Sequence, residues 1–427
     1  MSSYIVASMA TREAIGEDFM DFLRSEVIPT TPRAIISEFD TRSESIFGWV
    51  ADQARLSRAF EAAGRDTPND ITRGIINKSG PDQGAYAYPI READISGLIF
   101  HDELGTEPLS VPITTEGLSV ELSGNPSDHE RYVLLHEAVH MEHGDLIGRG
   151  LFGQRHIHQY EFDADNRANH LYYEAYNRGL VENPELPYEF RAMRAMRTVM
   201  RPADRYDLNG LSTLPSEDRV FPEGEYDAAR DSVQQAVDKL YTEIGRSLVD
   251  ENDPLMRLEI MSNLEHSYVE GAEEEFVFSD DLRERLYDAL DNEDHEAAER
   301  ILEEIEIPPE YEAFINEEME RNIELQQESE GISAIQENPA LAYETARMML
   351  ERGDFDDNPV GKQLMENFTD GAQRYAPEEF GVDPADIPEG RPAIIDRLAQ
   401  EYAPAAEPAA GQEFENGQTH ESTLTVQ

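Results

Sequence analysis

Residues 136–145 read HEAVHMEHGD, three histidines and three acids in ten positions. His136 and His140 stand four apart, which on a helix places both imidazoles on one face, within reach of a single divalent ion. Glu137 lies about 100° further round the same turn. It is close enough to touch a water held by that ion without being a ligand itself. Metal-assisted hydrolysis is the chemistry these three residues can do together, with Glu137 as the proton acceptor. Eight of the eleven histidines fall between His101 and His170, so the histidine content of the chain is concentrated around this stretch.

Such a pair needs a helix to hold it, and the flanking residues specify one. Pro126 and Ser127 open it, Ser127 and Glu130 fit an S-x-x-E capping box, and Gly144 suits a C-cap. Leu134, Leu135, Ala138 and Val139 supply its apolar filling. Upstream, residues 84–122 contain ISGLIFHDEL, LSVPITT and GLSVEL, short apolar stretches separated by Gly, Pro and acidic turns, which read as strands of a small sheet. Residues 1–80 read as helices, including a long one over 41–64. Downstream, a glycine-rich connector leads to a second helix over about 157–177 that stops at Gly179. A third helix follows, PYEFRAMRAMRTVMR, with Arg191, Arg194, Arg197 and Arg201 at helical spacing and Met193, Met196 and Met200 on a neighbouring face. That arginine ladder is expected to lie against acidic surface of the same chain, its methionines in the core.

The third ligand distinguishes one kind of H-E-x-x-H site from another. A following G-x-x-H is ruled out, because the glycine position is His143 and the last position is Leu146. The other solution takes a glutamate from the next helix, and Glu161 lies 21 residues after His140, at the head of Glu161-Phe162-Asp163-Ala164-Asp165. HEAVH with EFDAD resembles the gluzincins, the zinc peptidases with two histidines and one glutamate, over about 45 residues. Glu142, two residues past the second histidine, departs from their usual apolar residue. Peptide deformylases share H-E-x-x-H but need a cysteine ligand, which this chain lacks.

The resemblance implies Zn2+ held by His136, His140 and Glu161, with Glu137 as general base. It also implies Asp165 as a cofactor-site residue that accepts the other N–H of a ligand histidine and fixes its tautomer. Glu161 and Asp165 are like charges one turn apart, a cost to a bare helix that a cation removes. Glu174 or Asp163 remain alternatives to Glu161 as ligand. Zinc would activate water and polarise the substrate carbonyl, and Glu137 would pass the proton to the leaving amine. The oxyanion donor is open among His156, His158, Tyr160, Tyr172 and Tyr173. A substrate strand would lie against a sheet edge supplied by GLIFHDEL or GLSVEL. His143, His156 and His158 otherwise read as surface or connector residues.

Composition bounds the rest. The chain has 427 residues, no cysteine and a net charge of −55. Residues 1–205 carry 33 acids against 20 Lys and Arg, whereas 206–427 carry 57 against 15. The expected fold is α+β. A zincin-like N-terminal domain over 1–205 (small sheet plus active-site helix) precedes an acidic all-α region over 206–402 and a disordered tail over 403–427. No signal peptide and no apolar run of membrane-spanning length is present, so a cytoplasmic protein without membrane contact is expected. A peptide or protein is the expected substrate. Nucleic acid is excluded as a partner by the charge, and a basic protein partner for the acidic half is its natural complement. Two rival readings set the enzyme aside or its acidity in another light. One is a non-catalytic acidic interaction protein with a structural or decayed zinc site. The other is an enzyme made acidic by a high-salt habitat, although the uneven charge argues against salt adaptation as a full account.

Overall fold

The computed structural model describes residues 5–7, 15–27, 34–38, 85–90, 95–101, 110–114, 117–143, 157–201, 211, 225–264, 269, 272 and 276–401, without the side chains of 5–7, 34–38, 85–90, 95–101, 141–143, 157–158 and 401. Four strands form one sheet: β1 (Ile5–Ala7), β2 (Ala34–Glu38), β3 (Ala85–Ile90) and β4 (Ile95–His101), in the order β1-β2-β4-β3. β1 and β2 run parallel, as do β2 and β4, while β3 returns antiparallel to β4. A separate hairpin pairs β5 (Ser110–Pro112) with β6 (Ser119–Glu121). Two of these strands fall where helices are expected. YIVA and AIIS are short apolar runs whose length fits either state; pairing with β4, some 60 residues onward, decides AIIS, and pairing with β2 decides YIVA. The expected helix over 41–64 and the tail over 403–427 lie outside the described residues, as does Gly144.

β4, which contains GLIFH, is central in the sheet and bonded on both sides, so it offers no edge. Among the described residues the edge beside it is β3, whose register shifts between Tyr88 and Ile90. Pro89 sits at that shift and has no N–H for the ladder, which suits an edge strand with an irregularity.

Twelve helices are found among the described residues, making the fold helix-rich α+β. α1 (Glu17–Phe22) continues as a π-turn over Leu23–Val27 and buries Phe19, Met20, Phe22, Leu23 and Val27. α2 (Pro126–His143) carries HEAVH and packs against β3 and β4. Its cap is two residues earlier than the S-x-x-E pattern suggests. Pro126 is the first helical residue and the Asn125 side chain accepts the Ser127 N–H at 3.0 Å, so Asn125 satisfies the exposed end. α3 (Ile157–Asn177) matches the expected span and ends through Gly179, whose φ of 71° only glycine adopts freely. α4 (Leu186–Met200) buries Met193, Met196 and Met200.

The acidic half forms α5 (Glu225–Gly245), α6 (Pro254–Leu264), α7 (Asp280–Asp291), α8 (His295–Glu304), α9 (Pro309–Glu337), α10 (Pro339–Arg352), α11 (Pro359–Tyr375) and α12 (Ala393–Glu401). α9 spans 29 residues, and its apolar positions serve two cores in turn. Tyr311, Ile315 and Met319 join a small cluster with α6, α7 and α8, whereas Ile335 joins the main core. That main core runs from Phe19, Leu134 and Met196 to Leu240, Phe368 and Phe380. The step in charge at residue 205 therefore coincides with no break in the apolar packing.

Helices α5 and α9 are the most extensively packed pair, and two glycines permit it. A methyl group at Gly245 would stand 1.9 Å from the Gln327 carbonyl oxygen, and one at Gly331 would stand 2.0 Å from that of Tyr241. From this crossing the Tyr241 hydroxyl donates to the Val199 carbonyl at 2.7 Å and the Gln336 amide to that of Met200 at 2.7 Å. Both carbonyls belong to the last turn of α4, which has no helical partners for them. The acidic half thus caps the helix that carries the arginine ladder.

Candidate metal centre

Helices α2 and α3 run antiparallel, joined by polar pairs at four-residue intervals. Asp128, fully buried, accepts the backbone N–H groups of Glu182 at 2.7 Å and Asn183 at 3.0 Å, in the loop after α3. One turn on, the Tyr132 hydroxyl donates to Asn169 at 2.6 Å. His136 meets Asp165 and Glu161 on the next turn, and His140 meets Glu161 on the last. Arg131 locks the entry, donating to the carbonyls of Ile15 at 3.1 Å and Leu180 at 2.9 Å. Because side chains four apart share a helix face, this seam sets the register of the two helices and brings the three donors together.

The donors converge closely. His136 Nε2 lies 3.1 Å from Glu161 Oε2 and 3.1 Å from His140 Nε2, and His140 Nε2 lies 3.2 Å from Glu161 Oε2. Ligands about 2.0–2.1 Å from a tetrahedral ion stand roughly 3.3 Å apart, so the triangle fits one ion of zinc size. Behind it, His136 Nδ1 is 2.6 Å from Asp165 Oδ1. Donation of that N–H to the carboxylate turns the Nε2 lone pair of the neutral ring towards the Glu161 oxygen, an acceptor facing an acceptor, which a cation relieves. The other Asp165 oxygen is 3.9 Å from Arg194 Nε. His136 is 8% exposed and His140 2%, whereas the Glu161 side chain is 29% exposed and keeps one side of the group in contact with solvent.

In the metal-free protein a proton occupies this position. Burial disfavours charge on His136, but the carboxylates of Asp165 and Glu161 outweigh it and hold its pKa up at about 10. Burial likewise disfavours the charged form of Glu161, yet the hydrogen bonds from His136 and His140 hold its carboxyl well below the usual range. A metal must displace the second His136 proton at any pH below about 10. Metal affinity is therefore expected to rise with pH up to that value, by about tenfold per unit for one proton displaced. Calorimetry at pH 7 in buffers of different ionisation enthalpy should register the released proton, and a result independent of buffer would remove His136 from the ligand set.

Of the residues singled out from sequence, His136, His140, Glu161 and Asp165 meet in this way. Glu137 is half-buried on the same turn, outside the group of donors, and its carboxylate has no hydrogen bond or ion pair among the described residues. Glu174 is engaged elsewhere, paired with Arg178, which also binds Glu26 at 2.9 Å. Asp163, some 200° round α3 from Glu161, is not among the convergent donors. Tyr172 and Tyr173 are core residues. The Tyr172 hydroxyl donates to the Asn183 carbonyl at 2.9 Å, and burial pushes the pKa of both phenols up. Tyr160 stays half-buried beside Glu161, and the side chains of His143, His156 and His158 lie outside the described residues. Arg194, on the ladder expected to lie against acidic surface of the same chain, meets Asp165 there. The i, i+4 run of Asp128, Tyr132, His136 and His140 against Glu161, Asp165 and Asn169 was the unread signal for the whole seam.

Asp165→Asn is expected to keep the fold and weaken metal binding by about 10–100-fold, since it no longer accepts the His136 N–H as an anion. Competition with a calibrated chelator measures it, and unchanged affinity would reduce Asp165 to a packing role.

No protein-family model, curated protein or solved structure matches this chain. Among the described residues no helix is long and apolar enough to cross a membrane.

Proposed function

We propose that the chain is a metal-dependent peptidase of the gluzincin kind, with a zincin-like domain formed by the sheet, α2 and α3. The observation that carries this reading is the convergence of His136 Nε2, His140 Nε2 and Glu161 Oε2 within hydrogen-bond distance of one another, with Asp165 behind His136. The packing of α2 on the edge strand β3 supports it, because an extended substrate could pair there with the chain running past the histidines.

His136, His140 and Glu161 would hold Zn2+, which when bound supplies Lewis-acid activation of water and of a carbonyl group. Asp165 keeps the proton on His136 Nδ1, and Arg194 holds the second Asp165 oxygen, so the imidazole stays oriented. Glu137 takes a proton from the attacking water and delivers it to the leaving amine. The solvent contact of Glu161 favours an open, catalytic centre over the closed ligand shell of a structural one.

The test is metal content by mass spectrometry on purified wild type and on the His136→Ala/His140→Ala double variant. Stoichiometric zinc in the wild type and none in the variant is the expected result. A folded wild type that takes up no metal even after zinc is added back would make HEAVH a polar helix face, and the proposal would fall.

A further inference from the structure

Part of the acid surplus after residue 205 lines a groove that carries both acidic and apolar side chains. The groove has a volume of about 770 Å³ and runs between the turn before α6, helix α8 and the middle of α9. Leu302, Met319 and Ile323 form its floor, at the margin of the smaller hydrophobic cluster. Glu299 and Glu303 stand one turn apart on α8, with Glu320 contributed by α9, and all three are exposed. None of them has an ion pair or a hydrogen bond among the described residues. The one arginine of the lining, Arg257, is spent on Glu312, which accepts from it at 2.7 and 2.9 Å.

We infer that this groove docks a cationic amphipathic segment of a partner protein. The segment would lay its apolar face on Leu302, Met319 and Ile323 and set Lys or Arg side chains against Glu299, Glu303 and Glu320. Charge selects this occupant. Like charges one turn apart oppose helix α8, and a cation laid between Glu299 and Glu303 reverses that. A bare cation would leave the apolar floor in water, whereas an amphipathic segment covers it. The chain's own residues 402–427 contain four glutamates and no Lys or Arg, so they are repelled. A second copy, with a net charge of −55, is repelled as well. The inference does not depend on the metal centre.

The test uses the full chain and a short fluorescein-labelled peptide of Leu and Lys with its leucines at i, i+3, i+4 and i+7, followed by anisotropy at 0.15 M salt. Wild type is expected to bind it, and E299Q/E303Q/E320Q to bind it about tenfold or more weakly. E330Q/E344Q/E378Q removes the same charge from exposed positions outside the groove and is expected to bind like wild type. A peptide of the same composition with scrambled order should bind poorly, because its lysines and leucines no longer segregate. Equal weakening by the two triple variants would trace binding to the field of the whole surface and overturn the proposal. So would equal binding of the scrambled peptide, or no binding by wild type. A dimer in sedimentation that E299Q/E303Q/E320Q dissociates would assign the groove to a second copy, with the same consequence.

Discussion

Glu137→Gln is expected to leave the metal in place and slow peptide hydrolysis by about 10²–10⁴-fold, the usual contribution of a general base. Gln has the shape of Glu and can still hydrogen-bond a water, but it cannot accept a proton. Glu137 lies outside the convergent donors, so metal content should be untouched, in contrast to His140→Ala, which should lose metal and activity together. Zinc by mass spectrometry and hydrolysis of fluorescein-labelled denatured casein, with a fluorogenic peptide library beside it, give the two readouts. The combination is diagnostic. A metal-loaded Glu137→Gln with undiminished hydrolysis would end the role of Glu137. A metal-loaded wild type that cleaves none of these probes would instead favour the structural-site reading, in which the acidic half carries the function.

The site was more legible than the fold around it, for a physical reason. His136, His140, Glu161 and Asp165 lie on two helices whose faces are set by local periodicity, so spacing alone indicates which side chains point together. The start of α2 needed only Pro126 and a capping side chain, although the cap proved to be Asn125 rather than Ser127. The strands around Ile5–Ala7 and Ala34–Glu38 were another matter. Parallel pairing of Ile35 with Leu98 rests on contacts 63 residues apart, and nothing in AIISE itself records them. α6 carries too little contrast between its faces to stand out from sequence, whereas α11 and α12 are strongly amphipathic and were legible. The continuity of the core past residue 205 was also hidden, since charge composition reports the solvent face of a helix and says nothing of what its other face buries. Arg194 illustrates the same limit. Its ladder spacing announced a helix face, but only the packing of α4 beside α3 turned one rung towards Asp165.

Gly331→Ala should produce a large loss of stability through a single added methyl group. In an ordinary helix interior the same change stabilises by about 0.5–1 kcal/mol, because glycine loses the most backbone freedom on folding. Here the new carbon would stand 2.0 Å from the Tyr241 carbonyl oxygen, a backbone atom that cannot rotate aside as a side chain would. Reaching ordinary contact requires α5 and α9 to separate by roughly 1.5 Å, and overpacking of that kind costs about 3 kcal/mol or more where no neighbour can yield. The sign of the effect is therefore itself the test. Urea denaturation should show Gly331→Ala less stable than wild type, whereas Ser329→Ala, exposed on the same helix, should stay within about 0.5 kcal/mol. A stabilised Gly331→Ala would mean that the helices do not touch backbone to backbone. The consequence should also reach the metal centre. Tyr241 and Gln336, which cap the last turn of α4, sit on the two helices forced apart. Their displacement loosens the helix that holds Arg194 against Asp165, so Gly331→Ala should weaken metal affinity as well, through a residue that touches no ligand.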